Sequence, residues 1–246
     1  MYVKHSQDNL FMPDEVPQLG VPQLIHMAYL VKPSGGDSKP VNFTESGQKA
    51  ISGQADTRGG GSILVLCTAN VCRSPMAAAL LARRLAGLDV TVPVRSAGMF
   101  GGGDPPHPEV ISVMASYGIE IGSHRSRVAC AADLDQASLV LAMARENLRY
   151  AAITEPGVWP RAFTLKELVR RGEQIGPRPP GEPLSGWLSR AHEGRERMSL
   201  LGDSAEDDVA DPAGGPFRAY VATAGLLDQL VTRLAELGWA HAGPHH

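Results

Sequence analysis

From Ser62 onward the chain alternates short apolar runs with longer amphipathic stretches, the pattern of a parallel sheet covered by helices. The run "ILVL", residues 63–66, is continuously apolar and half β-branched, which suits a strand buried on both faces. "SPMAAALLARRLAGL" then predicts a helix with Ser74 as its N-cap, Pro75 at the first helical position and Gly87 near its end. "VTVPVRSAG" predicts a second strand, "HPEVISVMASYG" a helix closed by Gly118, "ASLVLAM" another buried strand and "RENLRYAAI" the helix after it. "FTLKELVRR" reads as a strand leading into a helix, and "RRGEQIGPRPPGEPLSG", broken by Pro and Gly, as a loop. "WLSRAHEGRERMSLL" adds a surface helix, and "FRAYVATAGLLDQLVTRLAELG" is a long amphipathic helix. The expected fold class is α/β, a doubly wound parallel sheet in a single domain.

Composition divides the chain where hydrophobicity does not. Four of the five lysines, Lys4, Lys32, Lys39 and Lys49, lie in the first 49 residues, whereas 17 of the 18 arginines follow Arg58. The early part is rich in Pro, Gly, Gln and Ser, shows no sustained period and ends in "RGGGS". Residues 1–61 are therefore expected to be a disordered extension and linker, 62–240 the folded domain, and 241–246 a frayed tail. His241, His245 and His246 in that tail lack metal-ligand spacing, and no metal is expected.

At 246 residues and 43% hydrophobic content the chain can bury one good core. A net charge of -3 and the lack of a basic stripe argue against nucleic acid as a partner. No signal-peptide pattern opens the sequence, and the early run "LIHMAYLV" is too short to span a bilayer, so membrane insertion is not expected. Three irregularly spaced cysteines, Cys67, Cys72 and Cys130, fit functional thiols in a reducing, cytoplasmic setting. Cys130, in "RVACAADL", reads as a small helix residue.

The remaining chemistry sits in "VLCTANVCRSP". A loop from a strand's C-terminal end to a helix N-terminus aims backbone N–H groups at one spot, and the helix dipole adds positive potential there. That spot suits phosphate. Cys67 would lie beneath the bound anion, and Arg73, six residues on, can grip two oxygens with its planar fork. The same field favours the thiolate, the nucleophilic form of cysteine. The spacing C-x5-R-[ST] carries weight because it follows a predicted strand and opens a predicted helix.

These residues resemble the low-molecular-weight protein-tyrosine phosphatases, whose apolar strand runs into C-x-G-N-x-C-R-S-P; Ala69 stands where that family usually has Gly. Further similarities are "RSAG" at residues 95–98, "YGIEIGSHRSR" at 117–127, "LVLAM" at 139–143 and "DDVADPAGG" before the last helix, so the resemblance spans roughly residues 63–237 in unbroken order. It implies a phosphatase acting on phosphorylated proteins through a cysteinyl phosphate, without a cofactor. It also implies Cys67 as nucleophile, Arg73 as anion clamp and Asp211, of Asp211-Pro212, as general acid. Thr68, Ala69, Asn70, Val71, Cys72 and Ser74 would complete the phosphate-binding loop, with Ser96 and His124 supporting Asn70. Cys72 matches the second thiol able to pair with the nucleophile on oxidation.

The departures bear on substrate. Members acting on phosphotyrosine commonly carry aromatic residues straight after Asp-Pro, where this chain has Ala213, Gly214 and Gly215; Phe217, Phe100 or Met99 would have to supply the wall instead. The loop and "FTLKE" at 163–167 are also similar to bacterial protein arginine phosphatases, but those prefer Thr at the position of Val71. Phosphotyrosine is thus the first reading and phosphoarginine the alternative. Arsenate reductases of this fold need later redox cysteines, and none follows Cys130. A non-catalytic phosphate binder would be expected to lose Cys67, Arg73 or Asp211.

Overall fold

The computed structural model describes residues 61–240; the expected extension, apart from Gly61, and the expected tail lie outside the described residues. Four parallel strands form the sheet in the order β2-β1-β3-β4, with β1 at Ser62–Cys67, β2 at Val94–Gly98, β3 at Ala137–Ala142 and β4 at Ala162–Thr164. Seven α-helices are described: α1 Arg73–Ala86, α2 Pro108–Ser116, α3 Ala131–Gln136, α4 Arg145–Thr154, α5 Leu165–Ile175, α6 Leu184–His192 and α7 Phe217–Trp239. The chain goes outward from β1 to β2, then crosses back over β1 to β3. This doubly wound path opens a crevice at the carboxyl ends of β1 and β3, where such folds bind ligands.

The period of β1 explains which way its last residue faces. Ile63, Val65 and Cys67 belong to one core with Leu80 and Leu81 of α1 and Leu227, Val231 and Leu234 of α7. Leu64 and Leu66 belong to the opposite core with Leu134 of α3 and Leu148 and Ala151 of α4. Successive side chains of a strand alternate between faces, and helices cover both, so the whole run must be apolar. Cys67 therefore ends the strand on the face covered by α1.

Several expected elements take a different form. Helix α1 starts at Arg73 with Cys72 as N-cap, so Ser74 is its second residue and Pro75 its third. The Ser74 hydroxyl does not cap the helix; it is 2.9 Å from the Cys67 sulfur. The second strand is shorter than "VTVPVRSAG" and starts after Pro93. Cys130 is not a helix residue but the N-cap of α3.

The segment "RRGEQI", expected to be loop, is the second half of α5. Its Gly172 lies under the indole of Trp187, where an added Cβ would come within 2.9 Å of the ring. The helix stops at Gly176, whose φ of 81° lies in the left-handed region. Nor is α6 a surface helix, since Trp187 is fully buried. After α6 the chain breaks at Gly194, also left-handed, and a short 3-10 turn spans Arg197–Leu200. Arg195 pins this segment: its guanidinium lies 4.0 Å and 3.9 Å over the rings of Trp159 and Phe163 and pairs with Glu167 at 2.7 Å. "FTLKELVRR" is the strand and helix expected, with Thr164 Oγ1 accepting the Glu167 amide at 3.1 Å as a cap.

Candidate active site

The loop from Cys67 to Arg73 closes tightly because Asn70 adopts φ 56°. Asn is among the few residues that tolerate this left-handed conformation, and the position before it, Ala69, is not left-handed. Alanine in place of glycine at residue 69 therefore carries no backbone penalty from φ. The glycine that the loop does require is Gly98 at the end of β2. A Cβ there would lie 2.8 Å from the Thr68 carbonyl oxygen and 3.0 Å from the Asn70 nitrogen.

Asn70 is fully buried and ties the loop to three surrounding segments. Its Nδ2 donates to Ser74 Oγ and Ser96 Oγ, each at 2.9 Å, and its Oδ1 accepts the Arg127 amide at 3.1 Å. Its carbonyl accepts from His124 Nε2 at 2.8 Å, which places the imidazole proton on that nitrogen. Ser96 and His124 thus both touch Asn70. Buried polar groups left unpaired are costly, so this full set of partners holds one loop conformation.

Cys67 is buried, with Ser74 Oγ at 2.9 Å and the Asn70 amide donating to its sulfur at 3.2 Å. Both contacts can donate to a thiolate. The first-turn amides of α1 have no intrahelical acceptors, and no side chain among the described residues caps them. Sulfur, amides and helix terminus together suit an oxyanion above the sulfur.

Arg73 is buried beside them. Its Nη1 donates to the Val209 carbonyl at 3.2 Å, and its Nη2 to Thr68 Oγ1 at 3.1 Å and Asp211 Oδ2 at 2.5 Å. Its Nε is buried with no hydrogen-bond partner among the described residues. An anion over the loop would satisfy this donor. Cys72 behaves differently from Cys67: burial foremost, then the charges of Asp211 and Cys67, push its thiol up to about 12 against the pull of Arg73. At neutral pH it is a thiol.

Asp211 comes from a distant loop, and its Oδ1 accepts the Ala213 amide at 3.1 Å. That loop is pinned by Val209, whose amide donates to the Met143 carbonyl at 2.8 Å. Asp207 and Asp208 brace it instead of facing Cys67. Asp208 accepts the Arg145 and Ser204 amides at 2.7 Å and 2.9 Å, and Asp207 accepts from Arg145 and Arg170 at 2.8 Å and 2.9 Å. Burial opposes the charge on Asp207, but the bonds from Arg170 and Arg145 outweigh it and hold the carboxyl below its usual range.

Of the suggested wall residues, Phe100 and Phe217 are more than half exposed, whereas the Met99 sulfur accepts from Asn147 Nδ2 at 3.0 Å. Sequence reasoning missed Glu146 and Asn147, which meet the Thr68 hydroxyl at 2.8 Å and 3.4 Å. The available signal was position, because "RENL" follows β3, whose carboxyl end borders the same crevice as β1. Among the described residues no group of three or more His, Cys, Asp or Glu is placed to hold a metal, and no helix is long and apolar enough to cross a membrane.

The family model described as low molecular weight phosphotyrosine protein phosphatase matches residues 62–174, which include Cys67, Arg73, Ser96 and His124 but end before Asp211. A protein-arginine-phosphatase of Geobacillus stearothermophilus is 32% identical over 176 residues, 71% of this chain and 93% of the relative. A probable low molecular weight protein-tyrosine-phosphatase of Ralstonia solanacearum is 37% identical over 108 residues, 44% of this chain and 72% of the relative. The crystal structure of a low molecular weight protein tyrosine phosphatase from T. tengcongensis superposes with a TM-score of 0.55 at 31% identity, covering 72% of this chain and 99% of that one.

Proposed function

Because this chain belongs to the low molecular weight phosphotyrosine protein phosphatase family, we propose that it hydrolyses phosphotyrosine in proteins through a cysteinyl-phosphate intermediate. The observation that carries this reading is the convergence on Cys67 of two donors, Ser74 and the Asn70 amide, beside the Nε of Arg73, which has no partner among the described residues. The Cys67 thiolate attacks phosphorus in line with the scissile P–O bond. Loop amides and Arg73 stabilise the equatorial oxygens as an S–P bond forms and the P–O bond breaks. Asp211 gives its proton to the departing oxygen, which matters because a phenol has a pKa of about 10. Water then attacks the cysteinyl phosphate, Asp211 takes its proton, and phosphate leaves with the thiolate restored.

Ser74 and Asn70 serve the sulfur, while Ser96 and His124 keep Asn70 in its left-handed conformation. Three free thiols, one of them exposed, support a reducing, cytoplasmic place of action. Phosphoarginine is the second reading. It is favoured by the absence of an aromatic residue at Ala213, Gly214 and Gly215 and by the likeness to the Geobacillus enzyme over 71% of the chain. Val71, apolar where the arginine branch prefers Thr, favours phosphotyrosine. Initial rates on matched phosphotyrosine, phosphoarginine and phosphoserine peptides test the choice, with Cys67→Ser as the inactive control. Phosphotyrosine should be cleaved fastest, and faster turnover of phosphoarginine would reverse the assignment.

A further inference from the structure

The hydroxyl of Thr68 stands between three side chains of the crevice. A threonine hydroxyl has one proton to give and two lone pairs to fill. Here the proton goes to Glu146 Oε1 at 2.8 Å, and Arg73 Nη2 donates to the oxygen at 3.1 Å, with Asn147 Nδ2 at a longer 3.4 Å. Glu146 accepts and cannot donate when ionised, so it dictates the sense of the whole chain: Arg73 to Thr68 to Glu146. Without that acceptor the hydroxyl would be free to turn its proton toward the guanidinium, where donor would face donor.

Arg73 Nη2 has a second acceptor, Asp211 Oδ2 at 2.5 Å. To act as an acid, Asp211 must carry a proton and turn it toward the leaving oxygen. A neutral carboxyl holds a guanidinium far less strongly than a carboxylate does. At that stage, among the described residues, the side chain of Arg73 keeps Thr68 on Nη2 and the Val209 carbonyl on Nη1.

We infer that Glu146 is a positioning residue, which acts through the Thr68 hydroxyl to keep Arg73 aimed at the phosphoryl oxygens when Asp211 releases it. The inference rests on the phosphoryl-transfer reading above, and Glu146 itself need not touch the substrate. Its placement follows from the fold: α4 starts just after β3, so its first turn borders the loop after β1 across the crevice.

The test is a double-mutant cycle in the full chain, read by the pre-steady-state phosphorylation rate and by competitive inhibition with inorganic phosphate. Glu146→Ala and Thr68→Val should each slow phosphorylation roughly 10-fold to 100-fold, the range for a lost hydrogen bond to a charged group, and each should weaken phosphate inhibition. The double variant should be no slower than the worse single one, because both remove the same link. Glu146→Gln, whose amide oxygen can accept the same proton, should recover most of the rate. Unchanged kinetics in Glu146→Ala, additive losses in the double variant, or a Gln variant as slow as the Ala variant would each overturn the inference. Failure of the wild type to cleave any phosphomonoester would instead defeat the functional reading, and the cycle would then be read from phosphate affinity alone, measured calorimetrically.

Discussion

Asp211 and Arg73 are bonded to each other at 2.5 Å, although the proposed reaction uses one on the leaving group and the other on the equatorial oxygens. The Arg73 side chain is 6% exposed and that of Asp211 42%, so the carboxylate is the member free to move. Asp211→Asn should slow phosphorylation by a poor leaving group such as tyrosine on the order of 10² to 10⁴-fold, the usual worth of proton donation. An activated aryl phosphate should lose much less in that step. Burst kinetics separate this step from intermediate breakdown, in which Asp211 also takes part. Equal slowing for both leaving groups would leave Asp211 as an anchor for Arg73 only; Asp207 and Asp208, committed to Arg145, Arg170 and Ser204, are poorly placed to replace it.

Asn70 combines a conformational role with a bonding role, and two substitutions separate them. Asn70→Gly keeps easy access to φ 56° but loses the bonds to Ser74, Ser96 and the Arg127 amide. Asn70→Ala loses those bonds and also strains the backbone, by about 1 kcal/mol or more. Both should lose catalytic rate, with the Ala variant melting several degrees below the Gly variant. Equal melting temperatures would mean that the loop relaxes out of the left-handed conformation at little cost.

The two loop cysteines should be told apart by pH. With its thiol pushed up to about 12, Cys72 should resist iodoacetamide at neutral pH, while Cys67 and the exposed Cys130 are alkylated. After peroxide treatment, closure of a Cys67–Cys72 disulfide requires attack by the Cys72 thiolate. Its rate should therefore climb about tenfold per pH unit between pH 7 and 9. Mass spectrometry of quenched samples follows the crosslink, and a rate independent of pH would show that the thiol ionises more easily once Cys67 is oxidised.

Asp207 should make the fold sensitive to acid. Its carboxyl is held below the usual aspartate value of 3.8, so its contribution is fully present above about pH 4 and disappears as pH falls through the depressed value. Asp207→Asn should cost about 1–2 kcal/mol at pH 7, a melting shift of roughly 3–8 °C. Wild type and variant should converge in stability below pH 4. A constant gap across pH 3–7 would assign the loss to packing.

How much could be read before folding depends on the range of the physics involved. The strand "ILVL", the loop it feeds and the helix after it are neighbours in sequence, and apolar period, spacing and helix-terminus electrostatics act over a few residues. The proposed nucleophile and anion clamp were therefore legible in one short stretch. Local signals also misled: glycine and proline marked "RRGEQIGPRPPGEPLSG" as loop, whereas Gly172 lies in a helix because Trp187, fifteen positions on, needs the space of a side chain. Ser74 looked like a cap because its hydroxyl could bond locally, but the folded chain turns it to Cys67 and Asn70.

Contacts between distant segments lie beyond such reading. Nothing local to Glu146 or Asn147 marks them as neighbours of Thr68, 78 and 79 positions away. Nothing local to Gly98 shows that the loop after β1 passes within 3 Å of its missing Cβ. These juxtapositions arise because the chain winds outward from β1 and then crosses back to β3, bringing the carboxyl ends of the two strands to one crevice. The amino-acid order carries the chemistry of Cys67 and Arg73, since the two stand at opposite ends of one short loop, six residues apart. The aim of Arg73, shared among Thr68, Val209 and Asp211, is set by packing across the sheet, where the distances between segments come into being only when both cores close.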